Sequence, residues 1–230
     1  FKTFSPAAER IILKYFEDKG INHLDMMILS HFDSDHSGGA IAITDKIPVE
    51  KIIIRSYNDN SPLAKKIKKQ AKEKNIPLYV PKNLEIIYND GENKINAIYS
   101  ESGDDNDRSL INIFETPYGT VLFTGDSGVN SFEDLKKKLP QNVEILKVAH
   151  HGAKGTVSEE YLQCIKPKIA IISTGFNIYG HPNDETIDLL KKHNVKILRT
   201  DVDNAVKAVL DKNKILLYSY NNNKKRFERI

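Results

Sequence analysis

Between Ser30 and Gly39 the chain reads SHFDSDHSGG, which places two imidazoles and two carboxylates, His31, Asp33, Asp35 and His36, directly behind the apolar run Met26-Met27-Ile28-Leu29. Neutral imidazole nitrogen and carboxylate oxygen together suit zinc, manganese or iron(II), whereas calcium takes oxygen alone. In extended chain, residues two apart point the same way. His31, Asp33 and Asp35 are therefore expected to face one pocket, with a turn bringing His36 round to it. Gly38 and Gly39 permit a close backbone approach and a tight entry into the next element. A hydrogen-bonded polar loop is the plain alternative, and it leaves the other His and Asp sites of the chain unexplained.

Those other sites repeat one arrangement. Of the seven histidines, five lie at strand ends or in loops beside glycine: His31, His36, the pair His150-His151 in AHHG, and His181 in YGHP. His23 and His193 sit beside helix ends and read as ordinary surface residues. Asp126 ends an apolar strand in FTGD. Loops at strand ends are where a rigid scaffold presents reactive groups, so these residues are expected on one rim of a sheet structure.

The elements that must position them can be read from periodicity. A helix is expected from Pro6 to Gly20 with Ala8, Ile11, Ile12, Tyr15 and Phe16 on one face. A buried strand over Asp25–Ser30 delivers the first motif, and a second is centred on Ile53. A helix from Pro62 to about Lys74 turns Leu63, Ile67 and Ala71 inward. Its outward face carries Lys65, Lys66, Lys68, Lys69, Lys72 and Lys74, either a solvated face or a phosphate-contacting one. Short strands are expected over 78–80 and 96–99, then a hairpin of 110–116 and 120–124 around Pro117-Tyr118-Gly119. A helix near 131–139 leads to a strand over 143–149 that ends at the histidine pair. Helix 158–165, strand 168–173, helix 183–193 and strand 196–200 come next, and a hairpin of 205–210 and 215–220 closes the chain. The tail from Asn221 to Arg226 is expected to fray. Strand runs interrupted by helices fit two packed sheets with helices outside, and without a dividing linker residues 1–230 read as one domain.

Composition narrows the classes. A chain of 230 residues can bury one substantial core, and 34 basic against 31 acidic residues leave a net charge of only +3, which does not announce a polyanion partner by itself. The single cysteine, Cys164, excludes an internal disulfide and a Cys-based zinc ribbon. No apolar run approaches membrane-span length, and FKTFSPAAER lacks the charged opening and apolar core of a signal peptide. Opening at Phe1 inside a helical pattern, the chain is expected to be part of something longer.

The motifs H-x-D-x-D-H-x-G-G, TGD, AHHG and YGHP, in that order, resemble the metallo-β-lactamase superfamily, and specifically the soluble domain of the ComEC competence proteins. The resemblance runs from the first helix through NDRSLINIF and LKVAHHGAKGT to STGFNIYGHPNDETI and ILRTD, nearly the whole chain. It implies an α+β fold, a four-layer αββα sandwich whose opening strand, ending in an Asp-x-Gly loop, would precede Phe1. It also implies two divalent metal ions, Mn2+ or Zn2+, and no small organic cofactor. One metal would take His31, Asp33 and a histidine of the AHHG pair; the other would take Asp35, His36 and His181, with Asp126 bridging. Which of His150 and His151 is the ligand stays open at this point. Asp35 and His151 are the expected catalytic groups.

Asp33 stands where most of the superfamily has histidine, which favours a harder metal and phosphate esters over carbonyl substrates. Ala153 stands where most relatives have serine, and Asn204 where glycine is common. The implied activity is a nuclease that cleaves DNA phosphodiester bonds during DNA uptake, through a hydroxide activated by two metals. Lys154, Asn106 and Ser109 are candidate substrate contacts, against the plain readings of an exposed lysine and turn-forming side chains. A hydrolase of small phosphodiesters such as phosphorylcholine esters, and a catalytically silent DNA-binding module, are the rival readings. The implied partners are DNA and the membrane-embedded channel of a parent protein, with this domain attached to the membrane on its extracytoplasmic side.

Overall fold

A three-stranded parallel sheet, β1 (Met27–Ile28), β2 (Ile52–Ile53) and β3 (Leu78–Tyr79) in that order, underlies the first motif in the computed structural model, which describes residues 8–211 and 214–230. The chain separates into two compact units, Phe1–Pro81 and Lys82–Ile230. In the first, α1 (Lys14–Lys19) continues a π-wound segment, Ala8–Leu13, and ends at Gly20 in the left-handed region. The expected start at Pro6 lies outside the described residues. Ala8 is buried and Leu13 and Phe16 pack on the core, but Ile11, Ile12 and Tyr15 are exposed, contrary to the expected face. The cause is the winding: a π-turn closes i→i+5, so the row on one face drifts off the i, i+3, i+4 spacing.

Next come α2 (Ser34–Ser37), α3 (Ala40–Lys46) and α4 (Pro62–Glu73). Helix α4 starts where the sequence places it, with Pro62 in the first turn and the Ser61 hydroxyl accepting the Ala64 N–H. Leu63, Ile67 and Ala71 pack with Met27, Ile52, Ile54 and Ile43, while Lys65, Lys66, Lys69, Lys72 and Lys74 are exposed. Lys68 departs from that row. Its ammonium is turned back onto the carbonyls of Tyr57 and Asp59.

The second unit is built on a seven-stranded sheet. Its strands are β4 (Glu85–Asn89), β5 (Lys94–Ile98), β6 (Ile111–Thr116), β7 (Gly119–Phe123), β8 (Ile145–Lys147), β9 (Ile169–Ile172) and β10 (Lys196–Arg199), in spatial order β10-β9-β8-β7-β6-β5-β4. The β4–β7 half is antiparallel and β7–β10 parallel. Strand β4 is not among the strands expected from the sequence. It pairs with β5 across a turn at Gly91, φ 95°, where the Asp90 carboxylate accepts the N–H of Glu92 and of Asn93.

Helices α5 (Phe132–Leu135), α6 (Glu159–Ile165) and α7 (Asp184–Lys192) cover one face of this sheet, with α6 and α7 capped by Ser158 and Asn183. Helix α5 is shorter than the expected 131–139, and its start is preceded by a 3-10 turn. After the short α8 (Thr200–Asp203), strands β11 (Val206–Asp211), β12 (Lys214–Asn221) and β13 (Arg226–Arg229) form a separate antiparallel sheet. The tail expected to fray is the turn into β13, where the Asn221 carboxamide accepts the N–H groups of Asn223 and Lys224.

Alternation along the parallel strands fixes which layer covers which face. Leu122, Leu146, Ala170 and Ile172 face the helices, with Phe132, Leu162, Ile165 and Leu190. Val121, Ile145, Ile169 and Leu198 face the other way, onto Leu217 and its neighbours on β11 and β12. This α/β/β layering leaves the carboxyl ends of β7, β8 and β9 side by side on one edge, where ligands of open α/β sheets bind.

Candidate metal centre

The first-unit cluster forms where β1 runs out. Asp33 is still extended, at φ −70° and ψ 151°, but its carbonyl already accepts the N–H groups of His36 and Ser37, which opens α2. The period-two alternation expected of His31, Asp33 and Asp35 therefore stops at Asp33. Asp35 is carried on the helix beside His36 instead. The helical turn brings the His31 and His36 rings to 4.2 Å between centroids, both largely buried, with Asp33 and Asp35 exposed at their edges. A carboxylate oxygen of Asp33 is 3.7 Å from His31 Nε2, and one of Asp35 is 3.7 Å from His36 Nε2.

Ser30, which the motif pattern does not single out, joins the two rings. Its hydroxyl lies 3.1 Å from His31 Nδ1 and 3.2 Å from His36 Nδ1. Ring protons at both Nδ1 positions can donate to the one oxygen, which places both lone pairs on Nε2, on the carboxylate side. Its only signal in the sequence is its position directly before His31. Gly39 has the expected close approach: a Cβ there would come 2.7 Å from that of Ala8.

In the second unit Asp126 is buried at the end of β7. Its N–H donates to the Ser109 hydroxyl at 3.2 Å, and its Oδ1 accepts the His150 N–H at 3.2 Å. Its other carboxylate oxygen is 3.9 Å from His150 Nε2. His150 and His151, after β8, are both left-handed, at φ 44° and 53°, followed by Gly152 at φ 78°. For two side-chain-bearing residues this conformation costs on the order of 1–2 kcal/mol each, a strain that concentrates at functional sites.

The backbone turn sets the His150 ring 5.6 Å from His181 and 6.2 Å from His151. His151 Nδ1 donates to the Ser173 carbonyl at 2.7 Å, which fixes the tautomer with the lone pair on Nε2. His181 Nδ1 is buried and has no hydrogen-bond partner among the described residues. Burial, then the charges of His150 and His151, push the His181 imidazole below its ordinary value, against a smaller opposing effect of Asp126. Asp126, His150 and His181 thus come together, with His151 beside them.

The three residues considered as substrate contacts fall differently. Ser109 is fully buried beneath Asp126, and its own N–H donates to the Asn106 carbonyl at 3.0 Å. Asn106 is half-buried in that turn. Lys154 is exposed, with its ammonium 3.1 Å from the Glu185 carboxylate.

Both clusters fit divalent metal. All donors are imidazole nitrogen or carboxylate oxygen, and in the second cluster the buried His181 Nδ1, without a hydrogen-bond partner among the described residues, costs free energy that a metal bond would recover. The profile of the metallo-β-lactamase superfamily matches residues 3–175. The chain belongs to the metallo-β-lactamase superfamily. Its α+β architecture is the metallo-β-lactamase fold expected from the motifs, and membership in this superfamily supports a metal-dependent hydrolase.

Among its relatives, ComE operon protein 3 of Bacillus subtilis (strain 168) is 30% identical over 203 residues, 86% of this chain and 26% of that protein. Competence protein ComA of Neisseria gonorrhoeae is 27% identical over 230 residues, 96% of this chain and 31% of that one. Recombination protein 2 of Haemophilus influenzae is 26% identical over 205 residues, 87% and 24% respectively. These are competence proteins of the ComEC kind, and the chain spans about a quarter to a third of their length. Among solved structures, CmlA, a diiron β-hydroxylase from Streptomyces venezuelae, matches with a TM-score of 0.55 at 13% identity, over 79% of this chain and 44% of that one. That likeness shows the fold alone.

Proposed function

We propose that the chain is a nuclease domain that hydrolyses DNA phosphodiester bonds during DNA uptake, using two divalent ions, Mn2+ or Zn2+. The observation that carries this reading is Asp126: a buried carboxylate whose amide is held by Ser109, beside His150 and the partnerless Nδ1 of His181. His31, Asp33, Asp35 and His36 of the first unit, and Asp126, His150 and His181 of the second, are the residues that would hold these ions. His150 is put forward because its Nε2 lies 3.9 Å from the Asp126 carboxylate. When bound, such ions supply Lewis acidity to the attacked phosphate and bring the acidity of a coordinated water near neutral pH.

The chain's own groups do the rest. Asp35, exposed beside His36, accepts the proton of the attacking water and releases it to solvent after turnover, while His151, its Nδ1–H held by the Ser173 carbonyl, takes a proton from solvent on Nε2 beforehand and gives it to the leaving oxygen. The exposed lysines of α4 offer a sequence-independent backbone track, so DNA binding should weaken steeply with salt. Lys154 would contact phosphate by exchanging its Glu185 partner. The names of the relatives, a competence protein among them, support a DNA-uptake context; DNA as the substrate, a membrane-embedded channel as the partner and the extracytoplasmic side complete this reading. Among the described residues no helix is long and apolar enough to cross a membrane.

The deciding experiment incubates the purified chain and its Asp126→Ala variant with linear and circular DNA in Mn2+ or Zn2+. Cleavage by the wild type alone supports the nuclease. Hydrolysis of small phosphodiesters with DNA left intact would replace it by the small-ester reading, and tight binding without turnover by the silent DNA-binding module.

A further inference from the structure

Three large apolar side chains stand in solvent on the loop between β9 and α7: Phe176, Ile178 and Tyr179, at 101%, 87% and 76% exposure. A surface hydrophobe standing singly needs no explanation. These three fall within four residues, and each is more exposed than any other large hydrophobic side chain among the described residues.

The loop is held in shape from inside. Asn177 Oδ1 accepts the N–H of Tyr179 at 3.1 Å and of His181 at 3.0 Å, while its Nδ2 donates to the carbonyls of Gly175 at 2.9 Å and His181 at 2.7 Å. The inward carboxamide uses its hydrogen-bonding capacity on the backbone, and the flanking side chains are turned out. The Tyr179 ring lies nearly parallel to the His181 imidazole, 22° between planes and 5.9 Å between centroids. Its plane is therefore registered to a residue of the second-unit cluster.

We propose that Phe176 and Tyr179 form a stacking platform for the bases of single-stranded nucleic acid, next to His181; this rests on the nuclease reading above. The Tyr179 face, held against His181, and the exposed Phe176 ring on the same loop suit bases of any sequence, and such stacking serves proteins that must accept every sequence. A lipid surface fits less well. Residues 173–183 contain no lysine or arginine, whereas interfacial segments pair apolar tips with basic residues, and acyl chains gain nothing from a fixed ring plane. The strand's charge would be met elsewhere, by groups such as the lysines of α4.

The test compares a single-stranded oligonucleotide with an oligomer of equal length and abasic sugars throughout, reading kcat/KM in Mn2+ and, without turnover, binding by fluorescence anisotropy. The wild type should prefer the base-bearing strand by about ten-fold or more. Phe176→Ala and Tyr179→Ala should each pull that ratio toward one, and Tyr179→Trp should restore it. A wild-type ratio of one overturns the platform, as do variants that weaken both strands equally, the mark of a structural role. An unchanged ratio with lost binding to phosphatidylglycerol vesicles overturns it in favour of a membrane surface. Cleavage of both strands at a ratio of one leaves the nuclease reading standing and removes the platform alone. Absence of cleavage with a base-dependent binding ratio does the reverse.

Discussion

The Ser109 hydroxyl accepts the backbone N–H of Asp126 at 3.2 Å, in a position with no access to solvent. Strand β6 begins two residues later and runs antiparallel to β7, so its start lies beside the loop that carries Asp126. Ser109→Ala would leave that N–H buried and unpaired, at a cost of about 1–3 kcal/mol. Because the bond also fixes where the Asp126 carboxylate points, metal affinity should fall by about 10–100-fold. Urea denaturation of the metal-free protein and metal titration by calorimetry separate the two effects. An unchanged affinity would show that Asp126 is held by other contacts.

His181 should titrate below the ordinary imidazole value of 6.5, because burial and then the neighbouring His150 and His151 disfavour its charged form. As pH falls below 6.5 the unfolded chain takes up a proton that the folded chain resists, so this residue's contribution to stability is present above that value and is lost on the way down to the folded pKa. NMR titration of the metal-free protein, with His181→Gln identifying the resonance, should place its midpoint below the ordinary value of 6.5. A midpoint at or above 6.5 would show that burial does not govern this imidazole.

Much of this site is legible in the sequence because metal chemistry restricts residue type. His31, Asp126, His150 and His181 stand out as imidazoles and a carboxylate at the ends of apolar runs. What is not legible is set by local backbone. Asp33 already closes the first hydrogen bonds of α2, so Asp35 leaves the extended row on which spacing would place it. Ser30 and Ser109 act through hydroxyls, and a serine beside a motif carries no mark of what its oxygen touches. In the fold, Asn89-Asp90-Gly91 does signal the β4–β5 hairpin, but β4 is short and half exposed. The polar run after β12 looks like a tail because its asparagines and lysines form a turn. Ile11 is misplaced by the π-winding, which no residue type announces.

Helices α6 and α7 are clipped together by Glu159, whose carboxylate meets the Lys192 ammonium and, at 2.6 Å, His193 Nε2. The hydrogen bonds from Lys192 and then His193 hold the Glu159 carboxyl below its ordinary value of 4.5. A carboxyl depressed in the folded state contributes stability that is present above 4.5 and is lost as pH falls through the folded value. Thermal unfolding from about pH 6 to about pH 3 should therefore decline less steeply in Glu159→Gln than in the wild type. The clip is exposed, so the difference should shrink in high salt. Parallel curves for the two proteins would show that the clip is thermodynamically silent.

Gly152 and Gly155 share a left-handed backbone, φ 78° and 76°, and differ in what surrounds them. A Cβ at Gly155 meets nothing within 4 Å, whereas one at Gly152 comes 2.8 Å from Pro182 Cβ and 3.3 Å from Ile172 Cγ2. Gly155→Ala should cost only the conformational penalty, about 1 kcal/mol. Gly152→Ala adds overpacking against a rigid proline ring and a buried β-strand side chain, for a total of about 2–4 kcal/mol. Pro182 follows His181, and Gly152 follows His151, so the shift needed to admit the methyl must displace at least one of the two histidines. Gly152→Ala should consequently lose metal affinity as well as stability, while Gly155→Ala should lose stability alone. Urea midpoints and metal titrations on the two variants side by side check both parts, and equal effects at the two glycines would show that packing against Pro182 is not what constrains the histidine turn.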